Sequence, residues 1–462
     1  MAASWAKRLY DLLPAAAQNL AVSLSGWQKR RFRLDRVFRE KLSMLEQTQW
    51  MTPEESNAFL DQSLSRVLQS AGRDVPAYKE IAAMRLEGNW RTRLASLPVL
   101  RKERVREAPE DYRSRSYARR RVVHLFTSGT TGTPLEVWID PDAYRMEYAF
   151  IWHHRSWAGV RVGDRIATIT GHPVLPAWRN KPPFCRFNWA ENQLIFSSYH
   201  MSRENLRYYV DDLARFRPVA IHGYPSSLYL LAAYLAENHG PTIRPRAIFT
   251  AAEMLFDRQR QLIEEQFHCR VFMWYGNSEL TVNIVECPEG SYHIRPEYGI
   301  AEFLDTNGVA VEAGTPGHLV GTGLNNLAMP FIRYDTGDVA VPREGRCPCG
   351  RCGQLVMQIE GRSEDYVVTA DGRLVGRLDH ILKGVTGVRE AQLVQEREGE
   401  LLVRIAPGCG YDEIQEKKIL AALHQRLGHT MKTHVVHVEE IPRAANGKFR
   451  FVVSDLARKY TP

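Results

Sequence analysis

The residues best suited to phosphate chemistry lie in one short segment rich in threonine, serine and glycine. It follows the hydrophobic pair Leu125-Phe126 and has the sequence Thr127-Ser128-Gly129-Thr130-Thr131-Gly132-Thr133-Pro134. Glycines allow the backbone to approach a polyanion, and hydroxyl and backbone N–H groups donate to phosphate oxygens. No Gly-Lys-Ser/Thr follows, so the segment is not a Walker A loop. The pattern predicts a phosphate-binding loop rather than a Thr-rich surface turn.

Two later segments place a carboxylate where a nucleotide could use it. Trp274-Tyr275-Gly276-Asn277-Ser278-Glu279 ends a hydrophobic run, and its glutamate suits Mg²⁺, which takes a carboxylate together with phosphate oxygens. Arg333-Tyr334-Asp335-Thr336-Gly337-Asp338 ends on an aspartate, and one carboxylate can accept two hydroxyl protons. Each segment taken alone is also compatible with a solvated strand end or a simple turn.

A further candidate lies near the end of the chain. There Pro442-Arg443-Ala444-Ala445-Asn446-Gly447-Lys448 brings a lysine directly after a glycine. A lysine can neutralise charge that develops on a phosphate in a transition state, which is a task of positioning and electrostatics. A Gly-Lys turn near a C-terminus is by itself more often exposed and inert. It gains weight here because the phosphate loop and both carboxylate segments precede it.

Taken in order from Thr127 to Lys448, these segments resemble the motifs of adenylate-forming enzymes. That superfamily includes acyl-coenzyme A synthetases, peptide-synthetase adenylation domains and luciferase-like ligases. The details are most similar to the branch of phenylacetate–coenzyme A ligase and its CapK-like capsule-biosynthesis relatives. The wider superfamily often has a lysine after the proline of the phosphate loop. This chain has Leu135-Glu136 there, as is usual in this branch.

The resemblance implies a ligase that uses ATP and Mg²⁺ to join a carboxylate to AMP with release of pyrophosphate. Lys448 would neutralise charge as the carboxylate attacks the α-phosphate, Glu279 would help hold Mg²⁺, and Thr130 would act in the phosphate loop. Asp338 would accept both ribose hydroxyls. The residues implied in ATP or AMP binding are Thr127, Ser128, Gly129, Thr131, Gly132, Ala251, Ala252, Glu253, Trp274, Tyr275, Gly276, Asn277, Ser278, Asp338 and Arg362.

The sequence indicates less about the other two substrates, the carboxylic acid and the acceptor of the acyl group. The resemblance suggests a pocket for the acid at His222-Gly223-Tyr224-Pro225, and it places an acidic hinge at Glu364. The expected acceptor is coenzyme A or another thiol. Because Asp365 to Arg377 lacks the Ile-x-Pro of coenzyme A ligases, an amine or amino sugar is the alternative. A nucleotide-binding scaffold without activity is a further alternative, which the retained motif residues disfavour.

The cysteines suggest a metal site. The chain has seven, three of them in Cys347-Pro348-Cys349-Gly350-Arg351-Cys352, and without an export signal a disulfide framework is disfavoured. A closed structural Zn²⁺ site needs four sulfur or nitrogen ligands. The resemblance implies two half-sites, and Cys352 could replace the histidine of that set. The alternative is a group of unconnected buried thiols. The zinc ligands implied are Cys287, His293, Cys347 and Cys349.

The elements expected to position these residues follow from hydrophobic periodicity. The first 110 or so residues have helical patterns, as in Phe32–Leu45 and Phe59–Leu68. Buried strands then alternate with helices, which indicates α/β layers with largely parallel strands. Strands are expected at Val122–Phe126, Arg165–Thr170, Ala247–Thr250 and Val271–Tyr275. Helices are expected at Ser226–Glu237, Asp257–Phe267 and Asp412–Leu427.

The predicted fold is a multidomain α/β fold of the adenylate-forming type. Residues 1–360 would form a large adenylation domain, with two doubly wound α/β lobes and a small β subdomain that begins after Tyr298. Residues 361–462 would form a small, mobile α+β domain. At 462 residues the chain is long enough for two or three domains.

Composition narrows the remaining function classes. The net charge is +8, with basic stretches at Gln28–Arg39 and Arg91–Arg121. They lack interleaved aromatics and zinc-finger or RNP patterns, so we interpret them as solvated basic faces suited to anionic substrates, with no specific nucleic-acid partner. The apolar run from Leu12 to Leu24 is interrupted and has no convincing cleavage site. No transmembrane segment is expected, and a cytoplasmic location and a homodimer are predicted.

Overall fold

The computed structural model describes residues 9–84, 86–126, 135–171, 174–176, 179, 181–362, 366–370, 374–375, 378–382, 385–428, 430–444, 447–454 and 456. The predicted phosphate loop, Thr127 to Pro134, and the predicted hinge residue Glu364 lie outside these ranges. Among the described residues, no helix has the length and apolar character needed to cross a membrane.

Several of the helices begin at a side-chain cap. Asp35 accepts the backbone N–H of Phe38 at 3.1 Å, and Thr52 and Glu55 form a capping box ahead of the next helix. The described α-helices are α1 (Ala15–Arg33), α2 (Arg36–Thr48), α3 (Pro53–Asp74), α4 (Trp90–Ala95), α5 (Lys102–Glu107), α6 (Pro141–Trp157), α7 (Leu206–Phe216), α8 (Pro225–Asn238), α9 (Asp257–Phe267) and α10 (Glu413–Leu427).

The strands are short and rich in β-branched and aromatic residues, which suit a pleated, half-buried surface. In the first half of the chain they are β1 (Val123–Phe126), β2 (Glu136–Ile139), β3 (Ile166–Thr170), β4 (Cys185–Asn188), β5 (Gln193–Ser197), β6 (Ala220–Gly223), β7 (Ala247–Ala251), β8 (Arg270–Gly276), β9 (Asn283–Glu286) and β10 (Tyr292–Ile294). In the second half they are β11 (Gly299–Leu304), β12 (Gly317–Gly323), β13 (Tyr334–Arg343), β14 (Leu355–Arg362), β15 (Val367–Val368), β16 (Leu374–Val375), β17 (Val388–Gln395), β18 (Glu400–Pro407), β19 (Lys432–His437) and β20 (Val452–Ser454).

The chain divides into two compact units. The first unit gathers Met1–Leu24, Gly163–Val271 and Glu360–Pro462, and the second gathers Ser25–Val162 and Phe272–Ile359. Each unit is therefore assembled from segments that are distant in sequence. The predicted division into residues 1–360 and 361–462, with a mobile second part, stays a prediction.

The first unit contains the parallel strands. Strand β3 pairs in parallel with β5 and β6, and β6 pairs in parallel with β7. Helices α7, α8 and α9 contribute to the apolar core that includes these strands. The C-terminal part of this unit has a four-stranded sheet of order β19-β18-β17-β20, and α10 supplies part of its core. This arrangement agrees with the α/β alternation and with the α+β C-terminal part expected from the sequence.

The second unit is dominated by antiparallel strands. Strands β11 to β14 follow Tyr298 and confirm the β-rich stretch predicted there, with β11–β12 and β12–β13 paired antiparallel. Strand β9 pairs antiparallel with β8 and with β10. Helices α2, α3 and α6 contribute to a separate core that includes β2. Four predicted strands correspond to β1, β3, β7 and β8, with ends that differ by one residue at most.

Candidate nucleotide and metal sites

Tyr275 and Asp338 are brought together in the second unit, although sixty-three positions separate them. Tyr275 lies near the end of β8, and its hydroxyl donates to Oδ2 of Asp338 at 2.6 Å. Asp338 lies on β13, and its side chain is almost wholly buried. A short hydrogen bond to a buried carboxylate fixes its orientation. The geometry therefore joins the predicted motif that contains Tyr275 to the one that ends on Asp338.

The backbone around Asp338 is held by its own motif. The hydroxyl of Thr336 donates to the carbonyl of Leu319 at 2.7 Å and accepts the N–H of Asp338 at 3.2 Å. Gly337 has a φ of +71°, a conformation that residues with a Cβ rarely adopt. The Thr-Gly-Asp sequence is thus a structural requirement of this point on β13 as well as a candidate binding motif.

Glu279 is buried and held by two partners. Its Oε1 accepts the hydroxyl of Tyr334 at 2.7 Å and lies 3.3 Å from Nζ of Lys102. Both of these contacts are to the same oxygen. Lys102 thus places an opposite charge beside this buried side chain. A magnesium ligand must be ionised, so this environment is compatible with the predicted role of Glu279.

Lys102 is a site residue that the sequence reasoning missed. It begins α5, in the helical region before the phosphate loop, and a backbone bridge explains its position. The N–H of Leu100 donates to the carbonyl of Arg333, and the N–H of Asp335 donates to the carbonyl of Leu100. This pairing places the start of α5 beside β13. The sequence contains no local signal for a contact that spans 177 positions.

The turn after β8 is built from its own polar side chains. Asn277 accepts the N–H of Thr281 at 3.0 Å and donates to its hydroxyl at 2.7 Å. Leu280 has a φ of +55°, and Asn283 donates to the carbonyl of Tyr275 at 2.9 Å. A Cβ added to Gly276 would lie 3.1 Å from the indole nitrogen of Trp274. The side chain of Asn277, predicted at a nucleotide site, thus also shapes the turn that presents Glu279.

Glu253 joins two parts of the first unit. It follows β7 and a residue with positive φ, Ala252 at +70°. Its Oε2 accepts the N–H of Ser226 at 3.1 Å, and its Oε1 accepts the N–H of Phe449 at 2.6 Å. Burial raises the pKa of this carboxyl, and the backbone hydrogen bonds oppose the shift. Glu253 therefore links the first turn of α8 to the residue that follows Lys448.

The predicted acid-pocket residues lie in the same unit, at the end of β6 and the start of α8. A Cβ added to Gly223 would lie 3.0 Å from the carbonyl oxygen of Ile169, so a larger residue there would require the neighbouring backbone to shift. The N–H of Tyr224 donates to this carbonyl at 3.2 Å, and burial raises the pKa of the Tyr224 phenol. Pro225 occupies the first position of α8, where its missing N–H costs nothing. His222 lies on β6 itself.

Lys448 belongs to a tight turn in this unit. The N–H of Ala444 donates to its carbonyl at 2.9 Å, and Gly447 has a φ of +75°. A Cβ at Gly447 would lie 2.9 Å from the hydroxyl oxygen of Ser198. The glycine of the closing motif is therefore required by both conformation and space. Ala445 and Asn446 lie outside the described residues, as does the side chain of Arg362, the last residue of β14.

The four predicted zinc ligands form one cluster in the second unit. The donor atoms of Cys287, His293, Cys347 and Cys349 all lie within 4.8 Å of one another. The sulfurs of Cys287 and Cys347 are 3.6 Å apart, and Sγ of Cys349 lies 3.5 Å from Nε2 of His293. Tetrahedral zinc with S and N ligands requires S···S and S···N distances of about 3.8 and 3.5 Å. The observed spacings fit such an ion.

The surroundings of the cluster prepare His293 as a neutral ligand. Its Nδ1–H donates to the carbonyl of Cys352 at 3.2 Å, which leaves the Nε2 lone pair on the side of Cys349. Burial lowers the pKa of His293 to about 4. The substitute ligand considered from the sequence is directed elsewhere, because the thiol of Cys352 donates to the carbonyl of Thr48 at 3.3 Å.

The chain is similar to known proteins over most of its length. Residues 367–455 match the family model of the CapK C-terminal domain. The chain is 26% identical to Protein CapK of Staphylococcus aureus over 458 residues, covering 97% of this chain and 99% of that protein. It is 24% identical to phenylacetate-coenzyme A ligase of Thermus thermophilus, covering 71% of this chain and 79% of the relative. This homology supports the resemblance to the CapK-like branch of the adenylate-forming superfamily that the sequence motifs indicate.

The fold of this CapK-like protein agrees with solved ligases. A 2-hydroxyisobutyryl-CoA ligase in the postadenylation state matches with a TM-score of 0.72 at 20% identity, covering 90% of this chain and 93% of that chain. An anthranilate CoA ligase matches with a TM-score of 0.52 at 16% identity, covering 73% and 67%. These likenesses confirm the predicted fold class. The individual site residues stay predictions that rest on the motifs and on the geometry above.

Proposed function

We propose that this protein activates a carboxylic acid with ATP, forms an acyl-adenylate with release of pyrophosphate, and transfers the acyl group to a thiol. The observation that supports this most directly is the contact between Tyr275 and Asp338. It gives a buried carboxylate a fixed direction, as recognition of a ribose diol requires. Relatives whose names specify an acyl-coenzyme A ligase and a ligase of a peptidyl-carrier protein support the same chemistry.

In the first half-reaction, a carboxylate oxygen of the acid attacks the α-phosphorus of ATP, and the bond to the bridging oxygen of pyrophosphate breaks. Lys448 would offset negative charge on the α-phosphate as this bond forms, so it stabilises the transition state more than bound ATP. Asp338 would hold the ribose. Glu279 would be the protein ligand of Mg²⁺, which supplies charge neutralisation when bound.

In the second half-reaction, the acceptor attacks the acyl carbon and AMP leaves. Coenzyme A or a carrier-bound thiol is the proposed acceptor. An amine acceptor remains the alternative suggested by the sequence between Asp365 and Arg377, much of which lies outside the described residues. Supplying the identified acid and ATP with coenzyme A, and separately with amines, would distinguish them by product mass.

We also propose that Cys287, His293, Cys347 and Cys349 hold a structural Zn²⁺. The donor set and its spacing fit a closed tetrahedral site. A closed site has no open coordination position for substrate, and its contribution would be to folding stability. A cytoplasmic location and a homodimer are retained as predictions, to be tested by cell fractionation and by the molar mass in solution.

The decisive experiment is ATP–pyrophosphate exchange with a panel of carboxylic acids. Exchange that depends on one class of acid would support the proposal. Lys448→Ala should lower the exchange rate by orders of magnitude while ATP still binds, because the lysine acts mainly on the transition state. The control is Lys432→Ala, an exposed lysine on β19, which should leave exchange unchanged. Exchange at the wild-type rate in Lys448→Ala would contradict the assignment.

A further inference from the structure

Helix α1 has an apolar face that is exposed to solvent. The exposed fractions are 54% for Leu20, 58% for Leu24 and 53% for Trp27, and Leu12, before the helix, is 77% exposed. Spacings of four and three residues place the helical side chains on one side of the helix. Large apolar residues exposed singly are ordinary, whereas a row of them along one helix marks an interaction surface.

Other side chains of α1 attach it to the first unit. The side-chain oxygen of Gln18, which is fully buried, accepts the guanidinium of Arg186. The hydroxyl oxygen of Ser23 accepts the N–H of Trp189 at 3.0 Å. The helix is therefore oriented by buried polar contacts, and its exposed apolar face is a fixed feature. Trp189, beside Ser23, is itself 57% exposed and adds to the apolar surface there.

The charged side chains of this helix are all basic. No Asp or Glu occurs from Leu12 to Leu34, and the last turns of α1 contain Lys29, Arg30, Arg31 and Arg33. Arg31 is exposed and lies on the same side of the helix as Leu20 and Leu24, whereas Lys29 lies on the other side. The guanidinium of Arg31 lies 4.9 Å from the ring centre of Trp27. An aromatic ring, a basic head group and an apolar row thus adjoin one another at the C-terminal end of the helix.

We propose that this face of α1 binds the surface of a membrane that contains anionic lipids. An amphipathic helix of this kind lies parallel to the surface with its apolar side chains among the head groups and upper acyl chains. Tryptophan favours that boundary, and lysine and arginine are attracted to anionic head groups. A second copy of the chain is a poorer occupant, because α1 offers no acidic side chain to its own basic end. The proposal does not depend on the proposed function.

The test is sedimentation of the full-length protein with vesicles. Wild type should bind vesicles of phosphatidylcholine mixed with phosphatidylglycerol far better than vesicles of phosphatidylcholine alone. Arg31→Gln should weaken binding about fivefold, since one basic residue near an anionic surface contributes about that factor. Leu20→Ser with Leu24→Ser should weaken binding at least about tenfold through lost apolar burial. Added salt should weaken wild-type binding.

Matched controls use equivalent residues elsewhere on the surface. Met357 and Ile414 are 55% and 63% exposed, so Met357→Ser with Ile414→Ser removes comparable apolar surface. Arg397→Gln with Lys417→Gln removes two exposed charges. Both controls should bind vesicles as wild type does. Every variant should keep the wild-type circular dichroism spectrum and pyrophosphate exchange, because no predicted nucleotide residue lies on α1.

Three outcomes would overturn the proposal. The first is that the wild-type protein does not bind anionic vesicles, or binds neutral vesicles equally well. The second is equal loss of binding in the control variants. The third is a dimer in light scattering that Leu20→Ser with Leu24→Ser converts to a monomer, without vesicle binding by wild type. That result would assign the face to a second copy of the chain.

Discussion

Glu253→Gln tests whether the contact between β7 and the closing motif positions Lys448. The carboxylate accepts one backbone N–H from Ser226 and one from Phe449, each with a different oxygen. An amide has a single carbonyl oxygen, so in the variant one of the two N–H groups would face an NH₂ group instead. The variant would therefore lose its hydrogen bond either to Ser226, at the start of α8, or to Phe449, the neighbour of Lys448.

The expected loss of adenylate formation in Glu253→Gln can be worked out from the strength of the hydrogen bond that is broken. A hydrogen bond to a charged group contributes about 1.5–3 kcal/mol, which corresponds to a factor of about 10 to 150 in the population of the attached state. If Lys448 acts only while its segment is attached to Glu253, adenylate formation should fall by that factor. Acyl transfer from a supplied acyl-adenylate should fall far less, because Lys448 acts on the first half-reaction.

Pyrophosphate exchange would measure the first half-reaction, and thiol consumption with isolated acyl-adenylate would measure the second. The control is Glu264→Gln on α9, where the carboxylate accepts the N–H of Val271 at 2.9 Å within the same unit. It replaces a carboxylate of the same unit away from the closing motif, where one carbonyl oxygen still serves the single backbone N–H, and it should leave exchange near the wild-type rate. Wild-type exchange in Glu253→Gln would refute the positioning argument. Equal losses in both variants would attribute the effect to general destabilisation.

Three further variants test other parts of the molecule. Cys347→Ser should release bound zinc and lower the thermal stability. Cys352→Ser should retain the metal, because the wild-type Cys352 thiol is directed to Thr48. Equal zinc content of the two variants by elemental analysis would show that the proposed ligand set is wrong. Asp338→Asn should weaken ATP binding about tenfold or more in calorimetry, since a charged acceptor is replaced by a neutral one. Glu147→Gln should remove a pH dependence of stability, because burial raises the pKa of Glu147 to about 7 from about 4.3 in the unfolded chain. The folded state then favours the protonated form, so this stabilisation is complete below about pH 4.3 and is lost as the pH rises to 7. The variant should match wild type at low pH and be more stable by up to about 4 kcal/mol above pH 7 in denaturant titrations. A difference that does not change with pH would contradict the shift.

Element positions were largely predictable from the sequence because they depend on local periodicity. The helix expected at Ser226–Glu237 is α8, which starts one residue earlier. Proline is tolerated at the first helical position, where no N–H is needed. The helix expected at Asp412–Leu427 is α10, with Asp412 as its N-cap. The motifs were also identifiable, because phosphate and nucleotide chemistry restricts residue types within a few positions.

Contacts between distant segments were decided only by the tertiary structure. Two carboxylates, Glu279 and Asp338, were identifiable from their motifs, whereas the lysine that pairs with the first and the tyrosine contact that orients the second were not. Four zinc ligands could be selected only by resemblance, and the direction of the Cys352 thiol required the position of α2. Periodicity specifies which face of an element is buried. It leaves open which elements adjoin, because strand order and packing depend on the whole core, and that order brings Lys102 to Glu279 and Phe449 to Glu253.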